Sequence, residues 1–293
     1  MSVDEVAVHW PISAGVADNW GDKLNPHLVR RLSRRKAVHE SRASDPAGPR
    51  YFVVGSALAA ADDAIVWGSG FIASDQPSVG RPRRVCAVRG PLSRARLLEQ
   101  GIDCPEVYGD PALLMPLFYA PHVEPTHDLG LIQHFREAGV EPVPAVPKGL
   151  SVRTIDITAG IKRVVDGIVS CRAIVSSSLH GIIAAHAYGI PAIWVKPTDR
   201  PKGDGFKFQD YWASMGRDDV TPLAVEPGKP LELDRGLSTP GEVRVDLFAL
   251  LQACPFIGDP RKRRLIRRAE KLAATANPAS ILRLHAGFGK TPA

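Results

Sequence analysis

Short apolar runs that end in small residues recur through the first third of the chain. They read EVAVHW (5–10), RYFVVGS (50–56), AIVWGSG (64–70) and RVCAVRG (84–90). Runs of this length, bounded by turn residues, are typical of strands buried on both faces of a parallel sheet. Helical stretches separate them, one opened by a predicted N-cap at Asn25-Pro26 and one running from Pro91 to Gly101. The alternation predicts a Rossmann-like α/β unit.

A second α/β alternation follows a proline-rich join at residues 115–127. An amphipathic pattern predicts a helix over 157–174, and GIIAAHAYG (181–189) predicts another. The last helix and its two flanking strands form one predicted βαβ unit. The predicted strands of this half lie at 129–135, 151–158, 173–178 and 190–195.

We therefore expect an α/β fold of two Rossmann-like domains facing a cleft, which is the GT-B-like arrangement. Residues 1–120 form the first predicted domain, residues 121–240 the second, and residues 241–293 a helical tail that packs back onto them. Ligands of such sheets bind outside the carboxyl ends of the strands. Candidate site residues are therefore expected in the loops that follow the strands.

Composition narrows the class of protein. A chain with 44% hydrophobic and 23% charged residues is typical of a soluble globular protein. No apolar run is long enough to span a bilayer, and the acidic start lacks the apolar core of a signal peptide, so a cytoplasmic protein is expected. The four cysteines form no CxxC pair and no group of residues has metal-ligand spacing, which argues against disulfides and against a metal site.

The segment SSSLHG (176–181) carries the strongest candidate chemistry. Its histidine, His180, lies where a predicted strand turns into a helix, and the first N–H groups of a helix attract anions. An imidazole beside a bound phosphate or carboxylate suits acid–base chemistry. A core or capping histidine is the alternative interpretation. The candidate anion-binding positions around it are Ser177, Ser178, Leu179 and Gly181.

Other strand ends add cationic candidates. Arg89 follows a predicted strand, and arginine binds carboxylates and phosphates bidentately, although a surface ion pair is the alternative. From the second domain, His134, Lys196 and Lys207 are predicted to face the same cleft.

Polar residues of the first domain are candidates for a second substrate. Asp22 can bind a hydroxyl or act as a base, and Gly21 allows a close backbone approach. Capping and turn roles are the alternative. The full set of these candidates is Asn19, Gly21, Asp22, Gly68 and Ser69.

A basic run, RKRRLIRR at 261–268, contributes to the formal net charge of +6. Apolar residues at helical spacing predict that this helix packs on its own protein. Contact with an anionic lipid surface is the alternative. Nucleic-acid binding is not expected, because no aromatic interleaving or recognition motif accompanies the charge.

Seven motifs, taken in order, resemble those of the polysaccharide pyruvyltransferase family, and most closely its bacterial exopolysaccharide members, including the succinoglycan-type ketal-forming enzymes. The resemblance spans roughly residues 6 to 216, and the ordered set is much more specific than any one motif. The motifs are NWGDKLNP, VWGSGF, VRGPLS, YGDPALLMP, LIQHF, SSSLHGIIAAHAYGIPAIWV and FKFQDYW.

The resemblance implies a GT-B-like fold, phosphoenolpyruvate as donor without a further cofactor, and an oligosaccharide or polysaccharide acceptor, free or lipid-linked. It also implies that His180 is the catalytic acid and that Arg89 holds the donor. One position departs from the family pattern: many members carry an arginine two residues before the histidine, where this chain has Ser178. The missing charge is then expected from Lys196, Lys207 or Arg153.

Two other functions stay open on the sequence. A nucleotide-sugar-dependent GT-B glycosyltransferase would use the same cleft, with a nucleotide pocket in the second domain. A catalytically silent scaffold of a polysaccharide assembly complex would bind sugar or partners without turning over a donor. For each function, the expected location is the cytoplasm, with peripheral contact at the inner face of the membrane as an alternative.

Overall fold

The structure, a computed structural model, describes most of the chain. Parts of the predicted tail, residues 241–244 and 276–293, lie outside the described residues. The described ranges are 5–12, 19–45, 47–137, 139, 145–226, 229–231, 233 and 245–275.

A parallel five-stranded sheet forms the core of the first half, in the order β2-β1-β3-β4-β5. Four of its strands were predicted. The fifth, β2, is a half-exposed edge strand whose sequence KAVH lacks the apolar run of its neighbours. The strands are β1 (Glu5–His9), β2 (Lys36–His39), β3 (Arg50–Phe52), β4 (Ile65–Trp67) and β5 (Arg84–Ala87).

The second half contains another parallel five-stranded sheet, in the order β10-β9-β8-β6-β7. Its strands are β6 (His127–Ile132), β7 (Val152–Thr154), β8 (Cys171–Ser176), β9 (Ala192–Lys196) and β10 (Leu223–Ala224). Two parallel sheets with connecting helices confirm the predicted α/β, Rossmann-like fold class. The predicted domain boundaries at residues 120 and 240 stay predictions.

Seven α-helices are present in the described residues. The predicted helix after Pro91 is confirmed, with Gly101 in the left-handed region (φ +69°) after its end. The helix predicted over 157–174 is shorter, because the apolar residues from Cys171 onward belong to β8. The helices are α1 (Trp20–Ser33), α2 (Pro91–Glu99), α3 (Ile161–Val169), α4 (Leu179–Ala187), α5 (Phe206–Ser214), α6 (Leu247–Gln252) and α7 (Asp259–Thr275).

The predicted start of α1 was wrong. The N-cap is Asn19, whose side-chain oxygen accepts from the N–H groups of Gly21 and Asp22. The amide of Asn25 instead donates to the Val54 carbonyl and accepts from the Val54 N–H. Pro26 therefore lies inside the helix, where its missing N–H removes one backbone bond. The earlier start brings Asn19 and Asp22 to the cleft.

Helix α1 joins the two halves of the chain. At its start, Trp20 N–H donates to the Ile157 carbonyl at 2.9 Å, and Lys23 Nζ donates to the Thr158 carbonyl at 2.6 Å. At its other end, Arg261 of α7 donates to the Leu32 carbonyl at 2.9 Å. The C-terminal helices thus pack on the first half, whereas their predicted packing on both halves stays a prediction.

Helix α5 crosses between the halves in the same way. It follows β9 in sequence, yet it packs against α2 of the first half. None of the described helices is long and apolar enough to cross a membrane.

Candidate active site

A cavity of about 280 Å³ opens between the carboxyl ends of the two sheets. The first half contributes the loop Val54–Gly55–Ser56–Ala57 after β3 and the start of α1. The second half contributes residues after β6 and β8, together with the start of α5. This is the edge at which parallel α/β sheets bind ligands. Of the predicted site residues, those that line it are Asn19, Asp22, His134, Ser178, Leu179, His180 and Lys207.

His180 is held at the start of α4 by tight packing behind it. Strand β8 ends at Ser176, and Ser178 is the N-cap residue of α4, with no side-chain cap bond. A Cβ at Gly181 would lie 2.5 Å from Ser176 Oγ and 2.9 Å from Ile132, so glycine is required there. Gly181 therefore lets α4 approach the sheet and does not line the cavity. The first N–H groups of α4 are directed to the cavity end of the helix.

The imidazole of His180 has a fixed orientation. Its Nδ1 lies 3.0 Å from Asn19 Oδ1, which also accepts from the N–H groups of Gly21 and Asp22. Asn19 Nδ2 donates to Asp22 Oδ2 at 2.5 Å, which fixes the amide orientation. Because Asn19 Oδ1 is an acceptor, His180 Nδ1 carries the hydrogen. Nε2 is then the nitrogen left for a ligand.

Gly21 packs directly against this ring. A Cβ at that position would lie 2.1 Å from Cε1 of His180, so any side chain would displace the imidazole. The structure thus assigns Gly21 a positioning contact with His180 across the two halves. Its predicted contact with an acceptor stays a prediction.

The pKa of His180 is lowered to about 3, first by burial and then by the positive charges of Lys207 and Arg89. The imidazole is therefore neutral at physiological pH, whereas the resemblance implies an acid. A bound anion opposes the two charges and favours the imidazolium. The protonation state of His180 thus depends on whether an anion occupies the cavity.

Lys207 supplies a buried positive charge in the cavity. Its side chain is 7% exposed, and its Nζ donates to the Lys202 carbonyl at 3.2 Å. Burial and the nearby Arg89 and Arg136 lower the pKa of Lys207 to about 8. The amine therefore keeps most of its charge at neutral pH but has few protein partners.

His134 lies on the same wall as Lys207. Its Nδ1 accepts from the Arg136 N–H at 3.2 Å. Burial, followed by the charges of Lys207, His180 and Arg136, lowers the pKa of His134 to about 3. A neutral His134 with its hydrogen on Nε2 can donate to a ligand.

Arg89 does not line the cavity. Its side chain is fully buried, and Nε donates to Asp210 Oδ2 at 3.0 Å, Nη1 to Ser56 Oγ at 2.7 Å and Nη2 to the Phe71 carbonyl at 2.6 Å. Asp210 also accepts from the hydroxyl of Ser93 at 2.7 Å. The Arg89–Asp210 ion pair connects α5 to the first half, and the hydrogen bond from Arg89 to Ser56 holds the loop that contains Ser56. Donor binding by Arg89 stays a prediction, whereas its charge acts on His180 and Lys207.

Two predicted donor-side residues line a second cavity, of about 140 Å³, which shares Lys202 and Lys207 with the first. Ser177 donates to Glu137 Oε2 at 2.5 Å, and Lys196 pairs with Asp199 at 2.7 Å. Neither residue lines the cavity that contains His180. Their predicted donor contacts stay predictions.

The other predicted strand-end loop supports the cavity from behind. Gly68 has φ +94°, and a Cβ there would lie 2.2 Å from the Pro111 ring. The buried Ser69 hydroxyl donates to the Gly55 carbonyl and accepts from the Ala57 N–H. These contacts hold the Gly55–Ala57 loop. Acceptor binding by Gly68 and Ser69 therefore stays untested.

Sequence reasoning missed several lining residues. Ser56, Arg136 and Lys202 contribute a hydroxyl and two positive charges to the cavity. Arg136 follows the predicted strand end LIQHF by one residue, which is the signal that identifies it. Of the expected substitutes for the family's arginine, only Lys207 lines this cavity; Arg153 Nη1 instead donates to Ser170 Oγ.

One group of described residues has metal-ligand geometry: His9, His39 and Glu40, at the ends of β1 and β2, with ligand atoms within 4.8 Å of one another. His9 Nδ1 already lies 2.6 Å from Glu40 Oε1. The two ring nitrogens of His39 contact Ser41 and the Trp10 carbonyl. Hydrogen bonds thus engage one nitrogen of His9, both nitrogens of His39 and one oxygen of Glu40, whereas Glu40 Oε2 is buried without a hydrogen-bond partner. The expectation of no metal stays a prediction.

These features define an α/β protein with a cation-lined cavity between two parallel sheets. The chain belongs to the polysaccharide pyruvyl transferase family, whose model matches residues 7–199, so the predicted family is confirmed. Six of the seven motifs lie within the matched residues, and FKFQDYW (206–212) lies beyond them. The family implies a polysaccharide acceptor.

Two relatives illustrate the similarity. An uncharacterized protein of Acanthamoeba polyphaga mimivirus is 28% identical over 205 residues, covering 68% of this chain and 71% of that protein. The succinoglycan biosynthesis protein ExoV of Rhizobium meliloti (strain 1021) is 28% identical over 158 residues, covering 52% of this chain and 48% of ExoV. No solved structure matches the chain significantly.

Proposed function

We propose that this protein transfers the pyruvyl group of phosphoenolpyruvate to two hydroxyls of a saccharide, forming a ketal and releasing phosphate. The observation that carries the proposal is the oriented His180 in a cavity lined by Arg136, Lys202 and Lys207, in a chain of this family. We also propose that the two Rossmann-like halves form a GT-B-like pair around this cleft.

The donor fits the charge of the cavity. Phosphoenolpyruvate carries a carboxylate and a phosphate, and three cationic side chains line the cavity. The start of α4 adds N–H donors, and Ser56 and Ser178 add hydroxyls. Hydrogen bonds between charged donors and a carboxylate or phosphate are roughly twice as strong as neutral ones. The acceptor then binds beside Asp22, at the start of α1.

His180 acts as the acid once the donor is bound. The Nδ1–H of His180 stays hydrogen-bonded to Asn19 Oδ1, so Nε2 is the nitrogen that gains and loses the transferred proton. The negative charge of the donor opposes the effect of Lys207 and raises the pKa of His180 from about 3. Donor binding and uptake of a proton by His180 are therefore coupled. The Asp22–Asn19 pair holds the ring for this transfer.

The reaction balances without a cofactor. Nε2–H of His180 protonates the methylene carbon of the donor, and C2 becomes electrophilic. One saccharide hydroxyl forms a C–O bond to C2 and gives its proton to His180. The C2–phosphate bond breaks, a second hydroxyl closes the ketal, and its proton leaves with the phosphate. General acid–base catalysis contributes about 10²–10⁴-fold to such a step.

The test measures phosphate release from phosphoenolpyruvate with and without oligosaccharide acceptors. We expect acceptor-dependent release by the wild type, a loss of about 10²–10⁴-fold in His180→Ala, and no change in the matched control His122→Ala, at an exposed histidine. Near-normal release by His180→Ala would contradict the assigned acid.

Two outcomes would favour the other functions. If no acceptor supports release but a nucleotide diphosphate sugar raises the melting temperature, a glycosyltransferase becomes the better assignment. If saccharide binding persists without turnover of any donor, the chain is a scaffold.

A further inference from the structure

A second cationic surface lies away from the active-site cavity. It is a groove of about 680 Å³ between the C-terminal end of α1 and the exposed face of α7, with Phe118 and Leu265 as its apolar lining residues. We call it the basic groove. Its remaining lining residues are all basic: Arg30, Arg31, Arg34, Arg261, Arg264, Arg267, Arg268 and Lys271.

Helical spacing builds one side of the basic groove. Arg261, Arg264, Arg268 and Lys271 recur every three or four residues of α7, so they share one face. Leu265 lies beside this face at the base of the basic groove and is 2% exposed, so α7 packs on the protein there. The charged face is therefore the one that α7 presents to solvent.

The charge of the basic groove is unbalanced. Among the described residues, none of its seven arginines pairs with a carboxylate. Arg261 donates to the carbonyls of Leu32 and Arg31, and Arg31 donates to that of Phe118. After burial, the charges of Arg34, Arg264 and Arg268 lower the pKa of Arg261. In the part of the chain that the structure describes, these seven arginines thus lie together without a carboxylate partner.

We propose that the basic groove docks the protein on an anionic phospholipid surface. Clusters of four to eight basic residues on an amphipathic helix suit such a surface, and each contributes about fivefold in binding. Nucleic acid fits less well, because single strands need aromatic rings on which bases stack. The one aromatic ring that lines the basic groove, Phe118, is already covered by the Arg31 guanidinium at 5.8 Å.

Helix α1 relates this surface to the active-site cavity. Its first turn contacts His180, and its last turn lines the basic groove. Fourteen helical residues span about 20 Å. Docking would therefore hold the cavity at a set distance from the lipid headgroups. The lipid proposal itself does not depend on pyruvyl transfer.

Flotation of the full chain with vesicles tests the proposal. One set contains phosphatidylcholine alone and the other an equal mixture with phosphatidylglycerol. We expect binding only to the mixed vesicles, weakening as salt is added. In the triple variant Arg264→Gln, Arg267→Gln, Arg268→Gln, binding should fall by roughly a hundredfold.

A control with the same change in net charge separates the surface from the overall charge. It carries Arg83→Gln, Lys148→Gln and Arg172→Gln, at exposed positions outside the basic groove. We expect its binding to stay within a few-fold of wild type, and both triple variants to keep the wild-type circular dichroism spectrum and phosphate release. Equal losses in both variants, or no binding of the wild type at low salt, would overturn the proposal. If a double-stranded oligonucleotide, added at the same phosphate concentration as the lipid, releases the protein from the mixed vesicles, nucleic acid is the better assignment and the lipid proposal is overturned.

Discussion

The active-site cavity and the basic groove are both positively charged, yet they use charge differently. Lys207 lines the cavity and Arg89 lies behind it; both are buried, and after burial itself their charges lower the pKa of His180. In the basic groove, Arg264, Arg267 and Arg268 are exposed, so water and salt screen them. A buried charge has a large effect on a single neighbouring group. Exposed charges have small individual effects, and their combined attraction for an anionic surface is what matters. Substitutions in the two regions should therefore have effects of very different size.

The largest difference is expected for stability. Arg89→Met leaves Asp210 buried without its counter-charge, which typically costs about 3–5 kcal/mol in the free energy of unfolding. The matched change Arg264→Gln, in the basic groove, should alter it by no more than about 0.5 kcal/mol. Denaturant unfolding followed by circular dichroism measures both. Similar values for the two variants would contradict the difference drawn between these regions.

The sequence alone predicted most of the strands and helices that form these two regions. The apolar runs identified four strands of the first sheet, because buried parallel strands have few polar positions. The edge strand β2 was missed, because its half-exposed residues carry no such run. The start of α1 was misplaced, because Pro26 is a strong local signal for a helix start, whereas tertiary contacts made Asn19 the N-cap.

The site was predictable in its types of residue but not in its contacts. His180, Lys207, Asn19 and Asp22 line one cavity. The strand-to-helix turn indicated the position of His180, whereas the predicted helix start at Asn25 did not indicate those of Asn19 and Asp22. The partner of Arg89 was not predictable, because Asp210 is 121 residues away in sequence. Long-range pairs of this kind depend on how α5 crosses to the first half, and no local pattern records that crossing.

An effect of intermediate size is expected at Gly21. Gly21→Ala places a Cβ 2.1 Å from Cε1 of His180, which is too close for non-bonded atoms, so the ring must turn away from Asn19. A displacement of about 1 Å at a catalytic group can cost about a hundredfold in rate. We expect kcat for phosphate release to fall by about that factor, while the KM for phosphoenolpyruvate changes little. In the control Gly160→Ala the new Cβ has no neighbour within 4 Å, and full activity is expected. An active Gly21→Ala enzyme would show that the ring orientation is not needed.

The smallest effect is expected at Lys207, and it separates the two kinds of charge by pH and salt. Because burial lowers the pKa of Lys207 to about 8, its amine is charged below that pH and loses the charge above it. The kcat/KM for phosphoenolpyruvate should therefore fall as the pH rises through about 8, since this ratio reports groups of the free enzyme. In Lys207→Gln the ratio should start about tenfold lower, the usual effect of one charged hydrogen bond, and this pH limb should disappear. Added salt should change this pH dependence little, because Lys207 is buried, but it should release the protein from anionic vesicles, because the arginines of the basic groove are exposed. If kcat/KM still falls above about pH 8 in Lys207→Gln, a group other than Lys207 is responsible for that pH dependence.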